Sequence, residues 1–213
     1  MTEADPKELD PDYEHHGGFP EYEPASPGPG FGRFVEGMRR LQDLAVSANP
    51  GDELWDDAAD RVAALAELLG PFQADGEGQG PAGRTPGLPG MGSLLLPPWM
   101  LTRYEPEGVE MRGHFTRFHV GGNMAVHGGV LPLLFDNMFG MVSHAAGRPI
   151  SRTAFLHVDY RKITPIEVPL VVRGRVTSIE GRKAFVSAEL VDADDTLLAE
   201  ANGLMVRLLP GQP

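Results

Sequence analysis

The sequence predicts an α+β domain in which an antiparallel sheet packs around one long apolar helix. From about residue 101 onward, apolar and polar positions alternate, as at Leu170, Val172 and Val176, which is typical of strands with one buried face. Residues from about 128 to 147 form a run that is apolar on every side, which is typical of a buried helix. With two strands before this helix and four after it, the order of elements indicates an α+β domain.

Turn signals divide the predicted elements of this domain. Glu107-Gly108 separates the first two strands, and Pro132, which lacks an N–H group, is tolerated only in the first turn of a helix. The helix is therefore expected to begin at 128–129. The predicted strands are 101–107, 109–118, 152–163, 167–179, 183–192 and 196–208.

The N-terminal half of the chain is organised differently. Residues 1–32 are rich in acidic residues and Pro-Gly runs and are predicted to be a disordered acidic tail. Residues 33–72 are predicted to form a helical hairpin, with Asp52 as the N-cap of its second helix. Residues 73–98 read as a Gly/Pro-rich linker, and the α+β domain is expected over 99–210.

Charge and composition exclude several classes of function. The net charge is −12, and residues 1–100 account for all of it, with 18 acids against 6 bases, whereas residues 101–213 carry 12 of each. This balance argues against nucleic acid as a partner. The absence of cysteine excludes disulfides and thiol chemistry. Because neither a signal peptide nor an apolar membrane span is evident, we expect a cytoplasmic protein that does not insert into membranes.

One motif stands at the start of the apolar helix. His127-Gly128-Gly129 opens the run, and Asp136 follows the histidine by nine residues, in the middle of the helix. A carboxylate inside an apolar helix is costly unless something satisfies or uses it. Another His-Gly-Gly triplet, at residues 16–18, is not followed by an apolar run, so it does not indicate a helix start of this kind.

Residues 100–210, with this motif, resemble the hotdog-fold acyl-CoA thioesterases, most closely the phenylacetate-pathway type. The resemblance implies a hotdog fold and hydrolysis of an acyl- or aryl-CoA to a free acid and coenzyme A, with no cofactor. It also implies a homodimer with two composite sites. In some relatives an asparagine holds the attacking water and a hydroxyl lies near the acid. Asn123 precedes His127 by four residues, whereas those relatives place the asparagine somewhat earlier; Thr153 or Ser151 matches the position of the hydroxyl.

Elementary chemistry supports this assignment. Hydrolysis of a thioester needs donors to the carbonyl oxygen and a carboxylate that activates water or attacks directly. Backbone N–H groups of Gly128 and Gly129 at a helix start can act as the donors, and Asp136 as the general base or nucleophile. Gly129 and Asp136 are about 10 Å apart along a helix, so a second copy must complete the site. We expect a homodimer or a dimer of dimers.

Other residues have weaker claims to the site. His127 is expected to serve turn geometry more than proton transfer, and Asn123 either holds water or stabilises its own turn. Arg161-Lys162 and Arg182-Lys183 are candidate contacts for the phosphates of coenzyme A, or else they belong to a solvated sheet edge. No histidine spacing indicates a metal site.

Two other functions remain open from the sequence. One is a non-catalytic acyl-CoA-binding hotdog protein, in which Asp136 is only a satisfied structural group. The other is an acyl-thioester hydratase or dehydratase, although that chemistry needs a paired histidine and acid, and no histidine pairs with Asp136 in the sequence pattern. The hairpin is expected either to dock on the domain or to act as a lid over the acyl channel.

Overall fold

The computed structural model describes residues 24–73 and 80–209, so most of the predicted acidic tail lies outside the described residues. Its centre is one sheet of six antiparallel strands in the order β1-β2-β4-β5-β6-β3. The strands are β1 (Met100–Glu105), β2 (Gly108–Gly113), β3 (Ser151–Tyr160), β4 (Leu170–Glu180), β5 (Lys183–Val191) and β6 (Leu197–Arg207). The predicted α+β architecture with an antiparallel sheet is confirmed, although β2 ends five residues earlier than expected.

The sheet follows from the alternation of its sequence. In β5, Ala184, Val186, Ala188 and Leu190 are buried, whereas the residues between them face away from the helix. Ala184 pairs with Met205 and Ala188 with Ala201, so the buried positions of β5 and β6 share one face. β3, which follows the helix in sequence, pairs only with β6 and forms one edge of the sheet.

The central helix α3 (Val130–Ala145) lies across the buried face of the sheet. Its buried side chains include Leu134, Phe135, Met138, Phe139 and Val142, which pack against strands β2 and β4–β6. The approach to β6 is close, because a Cβ atom at Gly203 would lie 2.5 Å from Phe139 Cε2 and 2.7 Å from the Phe155 carbonyl oxygen. Only glycine therefore fits at this position of β6.

Two N-terminal helices, α1 (Pro29–Ser47) and α2 (Asp52–Leu69), occupy the region for which a helical hairpin was predicted. α1 begins four residues before that region, and Gly51 rather than Asp52 is the N-cap of α2, whose backbone enters the helix at Asp52. This region docks on the rest of the chain through α1, where Val35 is buried and the Asp43 carboxylate accepts a 2.9 Å hydrogen bond from the Phe118 N–H. By contrast, α2 buries none of its side chains.

The Gly/Pro-rich segment after the hairpin is packed rather than loose where the structure describes it, from residue 80 to residue 98. It contains a short 3₁₀ turn (Pro89–Gly92), and Thr85, Gly92 and Pro97 are buried. The Gly90 N–H donates a 2.8 Å hydrogen bond to the Trp99 carbonyl, which ties the turn to the beginning of the sheet. Within the described parts of the chain, no helix is long and apolar enough to cross a membrane.

Candidate functional site

Asp136 lies on an uncovered face of α3, where a buried carboxylate was expected. Asp136, Gly140 and His144 are exposed at successive turns of the helix, and Asn137 is half-buried beside them. The prediction of a helix buried on all sides is therefore wrong for a single chain. The sheet covers one side of α3, and the other side, apolar in part, opens onto a cavity.

Thr153 is the hydroxyl that contacts the acid. Its Oγ1 donates a 2.7 Å hydrogen bond to Asp136 Oδ1, from strand β3 to the middle of α3. Thr153 pairs with Met205 of β6, and a bulge follows it before Phe155, so its side chain points to the helix side of the sheet. The other candidate, Ser151, donates instead to the Pro149 carbonyl at 2.9 Å. The structure therefore joins Thr153 to Asp136, whereas Ser151 lines the same cavity without a hydrogen bond to the acid.

The glycines at the start of α3 are held by two side chains. Gly129 is the N-cap, and its N–H donates a 3.1 Å hydrogen bond to His127 Nδ1. The Gly128 carbonyl accepts a 2.8 Å hydrogen bond from the Tyr160 hydroxyl. Among the described residues, no hydrogen-bond partner is found for the Gly128 N–H. His127 therefore contacts the backbone of the turn, and its role in turn geometry stays a prediction.

Tyr160 was not a candidate from the sequence. It ends β3, and its hydroxyl reaches the glycines across the gap between the edge strand and the helix start. A tyrosine at the end of a strand has no sequence signature that would distinguish this role. β3 therefore supports both halves of the motif, Thr153 contacting the acid and Tyr160 contacting the glycine turn.

The glycines and the acid remain apart within one chain. α3 is a regular helix from Val130 to Ala145, so about 10 Å separates Gly129 from Asp136 at ~1.5 Å per residue. A single carbonyl group cannot contact both. Asn123 has a left-handed backbone (φ 54°) in a short turn at residues 122–124 and does not line the cavity beside Asp136. The left-handed turn is compatible with the structural role of Asn123, and its water-binding role stays a prediction that involves Asp136 of a second copy.

A cavity of about 640 Å³ lies next to Asp136. One wall is the uncovered face of α3, with Asn137, Gly140, Met141 and His144, and another is the beginning of the sheet. Its remaining apolar lining includes Leu88, Met91, Trp99, Met100, Leu101 and Met111. The cavity has the size and the largely apolar lining of a small-molecule site, with the Asp136 carboxylate at its surface.

One polar pair, Tyr104 and His144, also lines this cavity. The Tyr104 hydroxyl is hydrogen-bonded to His144 Nδ1, and the two rings are tilted against each other with centroids 6.2 Å apart. His144 lies eight residues after Asp136 on the same face of α3, about 12 Å along the helix. Tyr104 and His144 are forty positions apart in sequence, so no spacing rule could have paired them.

The four candidate phosphate contacts differ in their surroundings. Arg161 forms ion pairs with Glu200 at 2.6 Å and Asp159 at 3.4 Å, and the Glu200 hydrogen bond raises the pKa of Arg161. Arg182 donates to the Arg207 carbonyl at 3.1 Å, next to Lys183 at the start of β5. Because its charge is already paired, Arg161 is a poorer phosphate ligand than Lys183.

Metal ligation finds no support in the side chains. Among the described residues, no group of three histidine, aspartate or glutamate side chains is placed to hold a metal ion. The histidines are dispersed instead. His119 is buried against Phe115 and accepts a hydrogen bond from the Thr116 N–H, and His157 is close to Asp159 on the sheet edge.

Sequence comparisons show which proteins the region around the site is similar to. Residues 123–199 match the family model of the thioesterase superfamily. The acyl-coenzyme A thioesterase THEM4 of Rattus norvegicus is 38% identical over 89 residues, which are 41% of this chain and 38% of that protein. THEM4 of Xenopus laevis is 34% identical over 86 residues, 39% of this chain and 38% of that protein. The chain thus matches less than two fifths of the length of these relatives.

Solved structures extend the comparison to the fold. The crystal structure of protein RHA08564, a thioesterase superfamily protein, superposes with a TM-score of 0.74 and 25% identity, covering 85% of this chain and 97% of that one. This coverage exceeds the α+β domain and includes part of the N-terminal region. The structure of smu.793 from Streptococcus mutans, bound to acetyl CoA, has a TM-score of 0.50 and 19% identity over 52% of this chain and 88% of that one. The predicted hotdog fold is confirmed.

Proposed function

We propose that this protein is an acyl-CoA thioesterase, because residues 123–199 match the family model of the thioesterase superfamily. The reaction would be hydrolysis of an acyl- or aryl-CoA: water adds to the thioester carbonyl, the carbon–sulfur bond breaks, and a carboxylic acid and coenzyme A are released. The observation that carries this proposal is the Asp136 carboxylate, held by Thr153 at the surface of an apolar cavity.

The chemical steps divide between the start and the middle of α3. At the positive end of the helix dipole, the Gly128 N–H, and the Gly129 N–H once it is released from His127 Nδ1, would donate to the thioester oxygen and stabilise the negative charge that develops there. Asp136 would accept a proton from the attacking water as a general base, or attack the carbonyl carbon itself. The Thr153 hydrogen bond would fix the orientation of the carboxylate for either step. In the first case the proton would then pass to the departing thiolate sulfur. In the second the thiolate would leave a mixed anhydride between Asp136 and the acyl group, and water would hydrolyse this anhydride to the free acid and the regenerated carboxylate.

The site is proposed to form between two copies of the chain. Each α3 carries donors at its start and an acid two turns later, and these cannot serve one carbonyl within one chain. Two helices that run antiparallel across a two-fold axis would bring the glycines of each copy to Asp136 of the other. β3 supports this arrangement, because it is an edge strand whose outer side pairs with no described strand. The dimer could associate again into a tetramer.

The substrate is proposed to be a coenzyme A thioester. The smu.793 structure, in which the same fold binds acetyl CoA, supports this choice of thiol. Arg182 and Lys183 are the candidate contacts for its phosphates, with Lys162 as a further contact and Arg161 held by its ion pairs. The apolar cavity beside Asp136 would take the acyl or aryl group.

One assay tests this proposal. The purified protein is mixed with acyl-CoAs of different chain length and with aryl-CoAs, and the released thiol is measured. We expect thiol release by the wild-type protein that falls at least ~100-fold in Asp136→Asn, since that variant loses its base or nucleophile. The control is Asp60→Asn, which removes an exposed helical aspartate of α2 and should leave the rate unchanged.

Other outcomes would contradict the proposal. Equal thiol release by wild type and Asp136→Asn would remove Asp136 from the mechanism. Hydration of an enoyl-CoA without thiol release would favour a hydratase. Tight binding of acyl-CoAs with no turnover would favour a binding protein.

A further inference from the structure

The segment before the sheet forms one wall of the acyl cavity. Pro86, Gly87, Leu88, Gly90 and Met91 all line it, although this part of the chain has neither helical nor strand periodicity. These residues lie outside the part of the chain that matches the superfamily model, which begins at residue 123. The wall therefore belongs to the N-terminal region of this chain and not to the matched domain.

The Arg39 side chain of α1 binds this wall and the residues that follow it at three points. The Arg39 guanidinium donates three hydrogen bonds to backbone carbonyls, to Ser93 at 2.7 Å, to Pro89 at 3.1 Å and to Leu96 at 3.1 Å. Hydrogen bonds from a charged donor are roughly twice as strong as those between neutral groups. Arg39 is half-buried, and desolvation lowers its pKa. The arginine thus connects α1 to both ends of the turn that carries Met91.

The wall has a backbone that needs such support. Gly90, Met91 and Gly92 have φ angles of 59°, 53° and 79°, which lie in the left-handed region. Glycine adopts this conformation readily, whereas a side chain such as that of Met91 makes it strained. A strained conformation of this kind persists where the surrounding residues hold it in place. Of Gly90, Met91 and Gly92, Met91 is the residue with a side chain long enough to limit the length of the cavity.

We propose that Arg39 is a positioning residue that sets the length of acyl group accepted by this protein, by fixing the 86–92 wall and the Met91 side chain against the acyl cavity. The inference rests on the proposed function, since it assumes that the cavity beside Asp136 takes the acyl group. One methylene group more or less in an apolar pocket changes binding by about 10- to 200-fold, so a fixed wall is an effective limit.

Binding of non-hydrolysable analogues tests the inference separately from catalysis. S-butyl-, S-octyl- and S-dodecyl-CoA thioethers are titrated calorimetrically into wild-type protein, Arg39→Gln and the control Arg40→Gln. Arg40 is the exposed neighbour of Arg39 on α1. We expect the ratio of affinities for the dodecyl and butyl analogues to rise about 10-fold in Arg39→Gln, the equivalent of about 1.4 kcal/mol. In Arg40→Gln the ratio should not change. A general loss of stability would weaken all analogues alike and leave this ratio constant.

Met91→Ala is a second variant, which leaves the hydrogen bonds of Arg39 in place. It tests the inference if Arg39→Gln does not fold. Shortening this side chain should raise the same ratio, because the cavity gains length. An unchanged ratio in folded Arg39→Gln, or in Met91→Ala, would overturn the inference while leaving the thioesterase proposal intact. Failure of wild-type protein to bind any analogue would instead contradict the proposed function, and the inference with it.

Discussion

The Thr153 hydroxyl donates a 2.7 Å hydrogen bond to the Asp136 carboxylate, joining the edge strand β3 to the middle of α3. The bulge after Thr153 and its pairing with Met205 direct this hydroxyl to the helix side of the sheet. Farther along β3, Tyr160 bonds to the Gly128 carbonyl at the start of the same helix. One strand therefore orients both the acid and the glycine turn, and the site depends on how β3 lies along α3.

Removing the Thr153 hydroxyl should slow the reaction without abolishing it. In Thr153→Val the Asp136 carboxylate loses an oriented donor of the kind worth about 1.5–3 kcal/mol. We expect kcat to fall roughly 10- to 100-fold, with little change in KM, because the hydroxyl contacts the acid and not the substrate. Thr177→Val, which removes an exposed strand hydroxyl that bonds to the Phe185 carbonyl, is the matched control. An unchanged kcat in Thr153→Val would show that this contact has no catalytic effect.

The contact between Gly203 and Phe139 predicts a stability difference between two glycine substitutions. In Gly203→Ala the new Cβ would overlap the Phe139 ring and the Phe155 carbonyl, so the free energy of unfolding should fall by about 1–3 kcal/mol. In Gly37→Ala, on the exposed side of α1, the Cβ meets nothing within 4 Å, and the helix should gain roughly 0.5–1 kcal/mol. Urea titrations measure both values. Equal stability of the two variants would contradict the close packing of α3 on β6.

His119 predicts how stability depends on pH. Burial of the ring lowers the pKa of His119; the Thr116 backbone and Asp43 raise it by less, and Arg39 and His114 lower it further. Because the unfolded chain then binds the proton more tightly than the folded chain, stability is full above about pH 6.5 and decreases as the pH falls below it. In His119→Asn this part of the pH dependence should disappear. Urea unfolding between about pH 8 and pH 5 measures it, and identical slopes in both proteins would contradict the prediction.

The exposed edge of the sheet predicts where two copies meet. Phe155 lies on the edge strand β3 with 47% of its side chain exposed, and a charge there should block edge-to-edge pairing. We expect Phe155→Glu to sediment as a monomer and to lose thiol release. Ile179→Glu is the matched control, because Ile179 is 49% exposed on β4, away from that edge. Dimers that persist in Phe155→Glu would place the interface elsewhere.

The sequence was sufficient for the elements of the fold, because each has a local signature. Alternation and turn residues predict the six strands, and the all-apolar run after His127 predicts α3. The acid and its hydroxyl were also candidates, since the resemblance to hotdog thioesterases assigns both positions. Asp136 lies in α3, and Thr153 lies in β3, the next strand along the chain.

Other features depend on contacts that no local pattern encodes. The uncovered face of α3 was not predicted, because a run that is apolar on every side does not reveal which side the sheet leaves open. The 86–92 wall lacks periodicity and depends on Arg39, which is fifty or more residues away in sequence. Tyr104 contacts His144 because β1 lies beside α3 in the folded chain. In the same way, Tyr160 contacts Gly128 because β3 lies beside α3.

The central claim is that each site combines the glycines of one copy with Asp136 of another, and mixing two inactive variants tests it. Gly129→Pro removes one donor at a residue whose φ of −68° already suits proline, and should cost about 100-fold or more in rate. Asp136→Asn removes the acid. After unfolding and refolding the two together in equal amounts, half of the dimers carry one copy of each variant and one intact site. We predict recovery of about a quarter of wild-type activity. Activity no higher than that of either variant alone, with mixed dimers present, would contradict the shared site.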